Sequence, residues 1–229
     1  MPIAGRTTRV ARRPDARAAA AVLARAFDDD PVMMWIFPDD QLRRRRLPAL
    51  FAVLLRRYYL GHRATELVLT ADGVLGCGMW APPGRWLPPV RRQVAALPGV
   101  AAAFGSRFLA ANSAFGAIAR LHPREPHWYL AGLGTDPPAQ GTGVGRQLLR
   151  SRLARCDMTG LPAYLESSKE SNLGYYEAFG FAVTREIRIP GGPMLWPMWR
   201  PPQPLQRASH PAQPPPRRAQ PPPRPHQEE

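Results

Sequence analysis

The chain reads as a mixed α/β domain, and three observations carry that reading. A strand-like segment, Trp128–Thr135, runs into a glycine turn and then into a helix-like segment over 141–159. An Asp-Gly turn joins the strand-like runs 66–70 and 74–80 into a hairpin. Further downstream, short strand and helix signals follow one another as far as residue 200. With 45% apolar residues in a chain of 229, there is enough hydrophobic side chain for one packed core.

The elements follow in order. Asp15 is placed to cap a first helix whose Val22, Leu23, Ala26 and Phe27 recur at helical spacing, ending near Asp28. A second helix is predicted over 40–60, with Leu42, Leu47, Leu50, Val53, Leu54 and Tyr58 toward the core. After the hairpin, residues 82–126 form a long connection that is too apolar for a linker: Val94, Leu97, Val100, Phe104, Phe108, Phe115 and Ile118 predict one or two helices. Such a helical insertion either packs on the sheet or closes over a substrate as a lid. A strand over 163–167, a helix over 173–179 and closing strands over 181–189 and 194–200 complete a domain spanning 1–200. Residues 201–229 hold 11 prolines and one large aliphatic, Leu205, so this segment is predicted to be a disordered tail. Its near-repeat PPPRRAQ, PPPRPHQ has polyproline character and reads as a solvated tail or as a ligand for an SH3-like groove.

Composition narrows the function classes. No apolar run approaching 18 residues is expected, so no membrane partner is predicted. Two cysteines, Cys77 and Cys156, make neither a disulfide framework nor a metal spacing, which fits core residues in a reducing cytoplasm. The formal charge of +14 raises nucleic acid as a partner, yet of 31 basic residues only Lys169 is lysine, a bias that points to compositional drift. Arg43, Arg44, Arg45 and Arg46 would point around a helix rather than form one stripe, so nucleic-acid binding is not expected.

The run Gln140-Gly141-Thr142-Gly143-Val144-Gly145-Arg146 carries the chemistry. Glycines at alternate positions let backbone N–H groups approach an anion, and the helix they open adds its positive N-terminal dipole. The spacing is neither the G-x-G-x-x-G of dinucleotide folds nor a P-loop. It resembles the acetyl-CoA loop of the GNAT N-acetyltransferases. A second block, AYLESSKESNLGYYEAFGF over 163–181, resembles the family's later motif. The wording of 127–149, 164–181 and 191–200, with 24–39 and 80–86, is most similar to the branch that includes puromycin N-acetyltransferase.

The resemblance implies a central, mostly antiparallel sheet splayed between two strands and flanked by helices. It also implies acetyl-CoA as co-substrate and no metal. Backbone groups of Gln140, Gly141, Thr142, Gly143, Val144, Gly145 and Arg146 would hold the pyrophosphate, with Arg146 or Arg150 adding a cation. The pantetheine arm would run along Leu133, Gly134 and Thr135, and Asn172 would contact the cofactor. Tyr176 matches the family's acid, a phenol that protonates the departing thiolate; the adjacent Tyr175 points elsewhere, so one of the two is packing. An ammonium acceptor with a pKa of about 10.4 needs a base or a proton path. Glu166, near the end of the strand bordering the cleft, is the candidate, against the alternative of a surface carboxylate paired with an arginine. His127 competes, against a packed histidine at the start of a strand. His122, Glu125 and His127 do not make H-E-x-x-H, and Pro123 and Pro126 oppose a helix there.

For the acceptor, Val32, Met33, Met34, Trp35, Ile36 and Phe37 read either as an apolar pocket wall with Asp28, Asp29 and Asp30 at its mouth, or as core. The expected activity is acetyl transfer to a primary amine, first on a small molecule and second on a protein or peptide. The competing class is a non-catalytic acyl-CoA-binding module.

Overall fold

A computed structural model describes residues 5–204. The expectations for the tail beyond residue 204 lie outside the described residues. Eight strands form the sheet in the order β1-β2-β3-β4-β5-β8-β6, with β7 also paired to β8. Their ranges are β1 Thr7–Val10, β2 Glu66–Thr70, β3 Gly73–Ala81, β4 Trp128–Thr135, β5 Ala163–Ser167, β6 Ala182–Val183, β7 Ile187–Arg188 and β8 Met194–Arg200. Every pairing is antiparallel except β4 with β5. The mixed, mostly antiparallel sheet flanked by helices is therefore the observed architecture.

On one face lie α1 Ala16–Ala26, α2 Pro31–Ile36, α3 Asp40–Leu54, α4 Val90–Phe104 and α5 Phe108–Leu121. Their core contains Leu23, Ile36, Phe37, Leu47, Leu50, Leu67, Met79 and Phe104. On the other face α6 Val144–Thr159 packs through Val144, Leu148, Leu149, Leu153 and Cys156, an apolar stripe at helical spacing. The short α7 Leu173–Glu177 follows β5. A Cβ on Gly76 would stand 2.4 Å from Val144 Cγ1, so this glycine is what lets α6 lie so close to β3.

Several expectations need correction. Asp15 does not cap α1 with its side chain: Arg9 takes both carboxylate oxygens at 2.7 and 2.8 Å, and the Arg12 N–H donates to it as well. The helix predicted over 40–60 ends at Leu54 and passes into a π-helical turn, Leu55–Tyr59, which buries Leu55 and turns Tyr59 toward the sheet core. Residues 82–126 hold two helices. Together Val90–Leu121 is apolar enough to cross a membrane by length and composition, with mean hydropathy 1.5, so such a run does exist. It is bent at Gly105, where φ is 55°, and buries Ala96, Ala103, Phe104, Ala111, Ala114 and Ala117. The predicted strand over 181–189 is two two-residue strands, β6 and β7.

Among the polar groups that join layers, Arg152 of α6 is nearly enclosed. Its guanidinium donates to Glu66 Oε1 at 2.6 Å and to the Ala64 carbonyl at 2.8 Å, and lies 4.7 Å from the Trp128 ring centre. Removing the carboxylate leaves a buried cation alone, which typically costs about 3–5 kcal/mol. Glu66→Ala should lower unfolding stability by roughly that amount in urea titration, whereas replacing both partners with apolar residues should cost much less.

Candidate active site

Strands β4 and β5 pair over only three positions, Trp128 with Ala163, Tyr129 with Tyr164 and Leu130 with Leu165. Beyond Leu130 the register of β4 with β3 slips by one residue, so that Met79 faces Gly132 and Trp80 faces Leu130. Ala131 is the extra residue of a bulge, which bends β4 away from β5. The side of β4 facing β5 is then without a strand partner from Ala131 to Thr135.

Two adjoining cavities fill this opening. The inner one is lined by Ala131, Gly132, Leu133, Glu166, Ser168, Tyr176 and their neighbours. The outer one runs along Leu133, Thr135, Gln140, Gly141, Gly143, Val144, Gly145 and Arg146. Leu133, Lys169, Asn172 and Tyr176 line both.

The outer cavity has the features of an anion cradle. Gly141 and Gly143 take positive φ values of 74° and 89°, and nothing lies within 4 Å of where a Cβ would stand on either. Helix α6 begins at Val144 rather than Gly141, and among the described residues no side chain caps its N terminus. Its first amides are therefore open to an anion. Arg6 donates to the Thr142 carbonyl at 2.8 Å and Thr142 Oγ1 donates to the Ala139 carbonyl at 2.7 Å, fixing the loop from behind. Tyr175 also lines this cavity, its hydroxyl 2.9 Å from the Cβ position of Gly145, so neither of the two adjacent tyrosines is packing alone. Burial pushes its phenol up to about 12, with Arg146 opposing. Arg146 lines the cavity; Arg150, Thr142 and Gly134 do not, and Gly134 instead lies against Leu23 and Ala26 of α1.

The inner cavity brings Glu166 and Tyr176 together. The Glu166 side chain is 5% exposed and has no arginine partner; its neighbour is His122, with Nδ1 3.5 Å from Oε1. The surface-carboxylate reading of Glu166 is thus not what the fold shows. Tyr59, Tyr129 and Tyr164 approach the same carboxylate, and burial followed by that negative charge raises all three phenols. Tyr176 is raised by burial first, then by Tyr175 and Asp30, so its proton stays on Oη through neutral and alkaline pH. His127 is buried, as its packing reading required. Its Nδ1 donates to the Glu125 carbonyl at 2.6 Å, and burial lowers its pKa.

The acceptor side differs from expectation. Val32, Ile36 and Phe37 are buried in the core, Met33 and Trp35 pack against it, and none of these lines either cavity. Asp28 is occupied by Arg43 and Arg44 at 3.3 and 3.0 Å. Asp29 pairs with Lys169 at 2.6 Å. Asp30 is buried against the inner cavity: Oδ1 accepts the Val32 and Met33 N–H groups at 3.0 Å each and Oδ2 accepts the Ser168 hydroxyl. Burial raises the Asp30 pKa in spite of these bonds. Reading the sequence for site residues passed over His122, Lys169 and Ser168. Asp30 also has a local signal that went unused, an Asp directly before Pro31 at the first position of α2.

A splayed strand pair beside an open glycine cradle, with a carboxylate and a phenol facing the gap, defines an acyl-transfer site. The chain belongs to the GNAT acetyltransferase family, whose model matches residues 57–181. It is 32% identical over 187 residues to a protein of Schizosaccharomyces pombe named as an uncharacterized N-acetyltransferase, covering 76% of this chain and 74% of that one. A crystal structure from Corynebacterium glutamicum, titled as histone acetyltransferase HPA2 and related acetyltransferase, superposes with TM-score 0.67 at 28% identity, covering 87% of this chain and 97% of that one. Arylalkylamine N-acetyltransferase 2 from Aedes aegypti shares the fold at TM-score 0.55 and 12% identity, covering 86% and 99%. The protein is an acetyltransferase, and its family implies acetyl-CoA as the acyl donor.

Gly143 tests the cradle. Alanine there would be forced to a left-handed φ, a cost of about 1–2 kcal/mol. Gly143→Ala should weaken acetyl-CoA binding about 10-fold in calorimetric titration, since about 1.4 kcal/mol is a factor of ten, while the folded spectrum is kept.

Proposed function

We propose that the protein transfers acetyl from acetyl-CoA to the primary amine of a small molecule, with Glu166 as base and Tyr176 as acid. The observation that carries this reading is that both residues line one cavity at the splay between β4 and β5, next to the glycine cradle. Gly141, Gly143, Val144 and Gly145 would hold the pyrophosphate through backbone N–H groups, and Arg146 would add charge. Leu133 and Thr135 would border the pantetheine arm, with Asn172 and Tyr175 on the opposite side. Bound there, acetyl-CoA supplies an acyl group activated as a thioester.

The protein's own groups manage protons. Glu166 receives one from the acceptor ammonium at Oε2, the oxygen not enclosed against His122. Tyr176 gives its phenolic proton at Oη to the leaving sulfur, an uphill step because the thiol's pKa is only about 8.5, and the second N–H proton, lost as the amide forms, restores it. The helical pair α4 and α5 is proposed to border acceptor entry.

A free amine is preferred by resemblance to the puromycin N-acetyltransferase-like branch. A peptide amine is the second reading, favoured by the name of the Corynebacterium glutamicum structure. The buried cysteines Cys77 and Cys156, both unpaired, support a reducing cytoplasm as the working compartment. Thiol release from acetyl-CoA against puromycin, arylalkylamines, polyamines and lysine peptides tests the reading. Fast turnover of a free amine is expected; peptide-only turnover selects the second reading, and binding without thiol release selects a non-catalytic module. Tyr176→Phe should slow turnover by about 100-fold, in the range of acid–base catalysis, with acetyl-CoA affinity nearly unchanged. Equal turnover in the variant removes Tyr176 from the chemistry.

A further inference from the structure

His122 and Glu166 form a buried pair that the acid–base assignment above leaves unexplained. Among the described residues, His122 Nδ1 and Glu166 Oε1 are both enclosed, and neither has a hydrogen-bond partner. They stand 3.5 Å apart, and the Tyr129 and Tyr164 hydroxyls approach the same carboxylate. The other nitrogen of His122, Nε2, lies 3.1 Å from His127 Nε2. His127 is in turn held by the Glu125 carbonyl, 2.6 Å from its Nδ1.

These contacts fix the tautomers. A carbonyl oxygen only accepts, so His127 Nδ1 carries the proton. Burial lowers the His127 pKa, which keeps the ring neutral and leaves Nε2 an acceptor. His122 must then donate through Nε2, and its Nδ1 is left with a lone pair aimed at the Glu166 carboxylate. Two buried acceptors facing one another is an unfavourable arrangement unless a proton lies between them. The plane of the ring is held by Trp86, which stacks on it with centroids 3.7 Å apart, and by Tyr129 and Tyr164, which meet it edge-on.

We propose that His122, aimed by His127, is a proton store for Glu166: it takes the acceptor's proton during acetyl transfer and returns it through Glu166 when the cavity reopens to water. The inference rests on Glu166 being the base. The balance is simple. The acceptor ammonium loses one N–H proton to the other carboxylate oxygen of Glu166, Oε2; the carboxyl turns and passes it from its His122-facing side to His122 Nδ1, giving an imidazolium beside a carboxylate; after product leaves, the proton returns by the same two steps to water. No bond other than to hydrogen changes in these steps. Where the store is already full in the free enzyme, the reaction loses its proton acceptor. The groups facing the pair are phenols that stay protonated, namely Tyr59, Tyr129 and Tyr164. His127 faces Tyr164 and Trp199, and Glu125 contributes a carboxylate beside it. Both histidines act through Glu166 and are positioning residues.

The test compares His122→Gln, His127→Gln and Glu166→Gln in the full-length protein. The acceptors are puromycin, whose α-amine resembles a chain terminus of pKa about 7.7–8.0, and Nα-acetyl-lysine amide, of pKa about 10.4. Both histidine variants should bind acetyl-CoA as the parent does and lose about 10-fold in kcat, below the 10²–10⁴-fold worth of a complete acid–base group. The acidic limb of their kcat/KM profile should move to lower pH, and the loss should shrink as pH approaches the acceptor's own pKa. A merely structural role would lower activity by the same factor at every pH. Nitrogen-15 spectra of the histidines need no acceptor: His127 should read as the Nδ1–H tautomer and His122 as the Nε2–H tautomer. An unmoved acidic limb in His122→Gln, or His122 protonated at Nδ1 in the neutral ring, overturns the store while leaving Glu166 as base. Unchanged kcat in Glu166→Gln overturns the base and the store together, and so marks the failure of the broader reading. If His122→Gln fails to fold, His127→Gln and the spectra of the parent carry the same decision.

Discussion

The site depends on one local constraint, the bulge at Ala131. A parallel strand pair held by hydrogen bonds along its whole length would leave no gap between β4 and β5. Here the pairing stops at Leu130 with Leu165, and the extra residue in β4 bends the rest of the strand toward β3. The same slip places Gly132 and Gly134 against α1, where a Cβ on Gly134 would come within 2.9 Å of Leu23. Small residues on that face let α1 support the bent strand closely. The unpaired edge beyond Leu130 is then free for an extended acyl carrier, in the manner of strand addition. Glu166 follows directly after the last paired residue of β5, and α7 carries Tyr176 to the same gap. The gap, and the two side chains that line it, are consequences of where one strand pair stops.

Burial then separates the roles of groups that are chemically alike. Tyr175 and Tyr176 line the cavities and Tyr59, Tyr129 and Tyr164 approach Glu166 behind them, and burial raises all five. None therefore competes to become an anion near neutral pH, and negative charge in the inner cavity is confined to carboxylates. Of these, Asp30 is committed to the N terminus of α2 and to Ser168, while Glu166 accepts no hydrogen bond at Oε1. Two buried carboxylates at one cavity thus differ in their hydrogen bonding, one a cap for a helix and the other with an oxygen left unpartnered.

What could be read from the sequence follows the range of the interactions involved. The glycine cradle is local, and its loop and helix appear where the residue pattern places them, with the helix starting three residues later because Gly143 is the left-handed residue before it. Tyr176 and Asn172 also sit at the cavity, carried by a block whose order along the chain matches the family. The misreadings come from competition between distant partners. Asp15 looked like a cap, but Arg9 on β1 takes its carboxylate. The apolar run from Val32 to Phe37 is open to both a pocket-wall and a core reading, and packing of α2 against α3 and α5 makes it core at all but the exposed Met34. The His122–Glu166 contact joins the end of α5 to β5, so no spacing rule reveals it. The bulge at Ala131 is invisible for the same reason, being a property of the pairing between β3 and β4.

The charge of the molecule also takes a different meaning once its ion pairs are placed. Many acidic side chains are spent within the fold: Asp15 on Arg9, Asp28 on Arg43 and Arg44, Asp136 on Arg25, Glu66 on Arg152 and Asp157 on Arg200. With 31 basic residues against 17 acidic ones, arginine remains in excess after this pairing, and the field around the protein is positive. The donor used by the family is a polyanion, and the glycine turn at the start of α6 offers backbone dipoles to such a charge, with Arg146 alone of the arginines among the described residues at its rim. Contacts of that kind are short-range, and salt screens them little. The diffuse arginine excess acts earlier, on the approach, where screening over about 8–10 Å makes it dependent on ionic strength. A basic chain of this kind needs no nucleic-acid partner to account for its charge: a multiply charged co-substrate entering one end of a splayed sheet is a sufficient physical use for it.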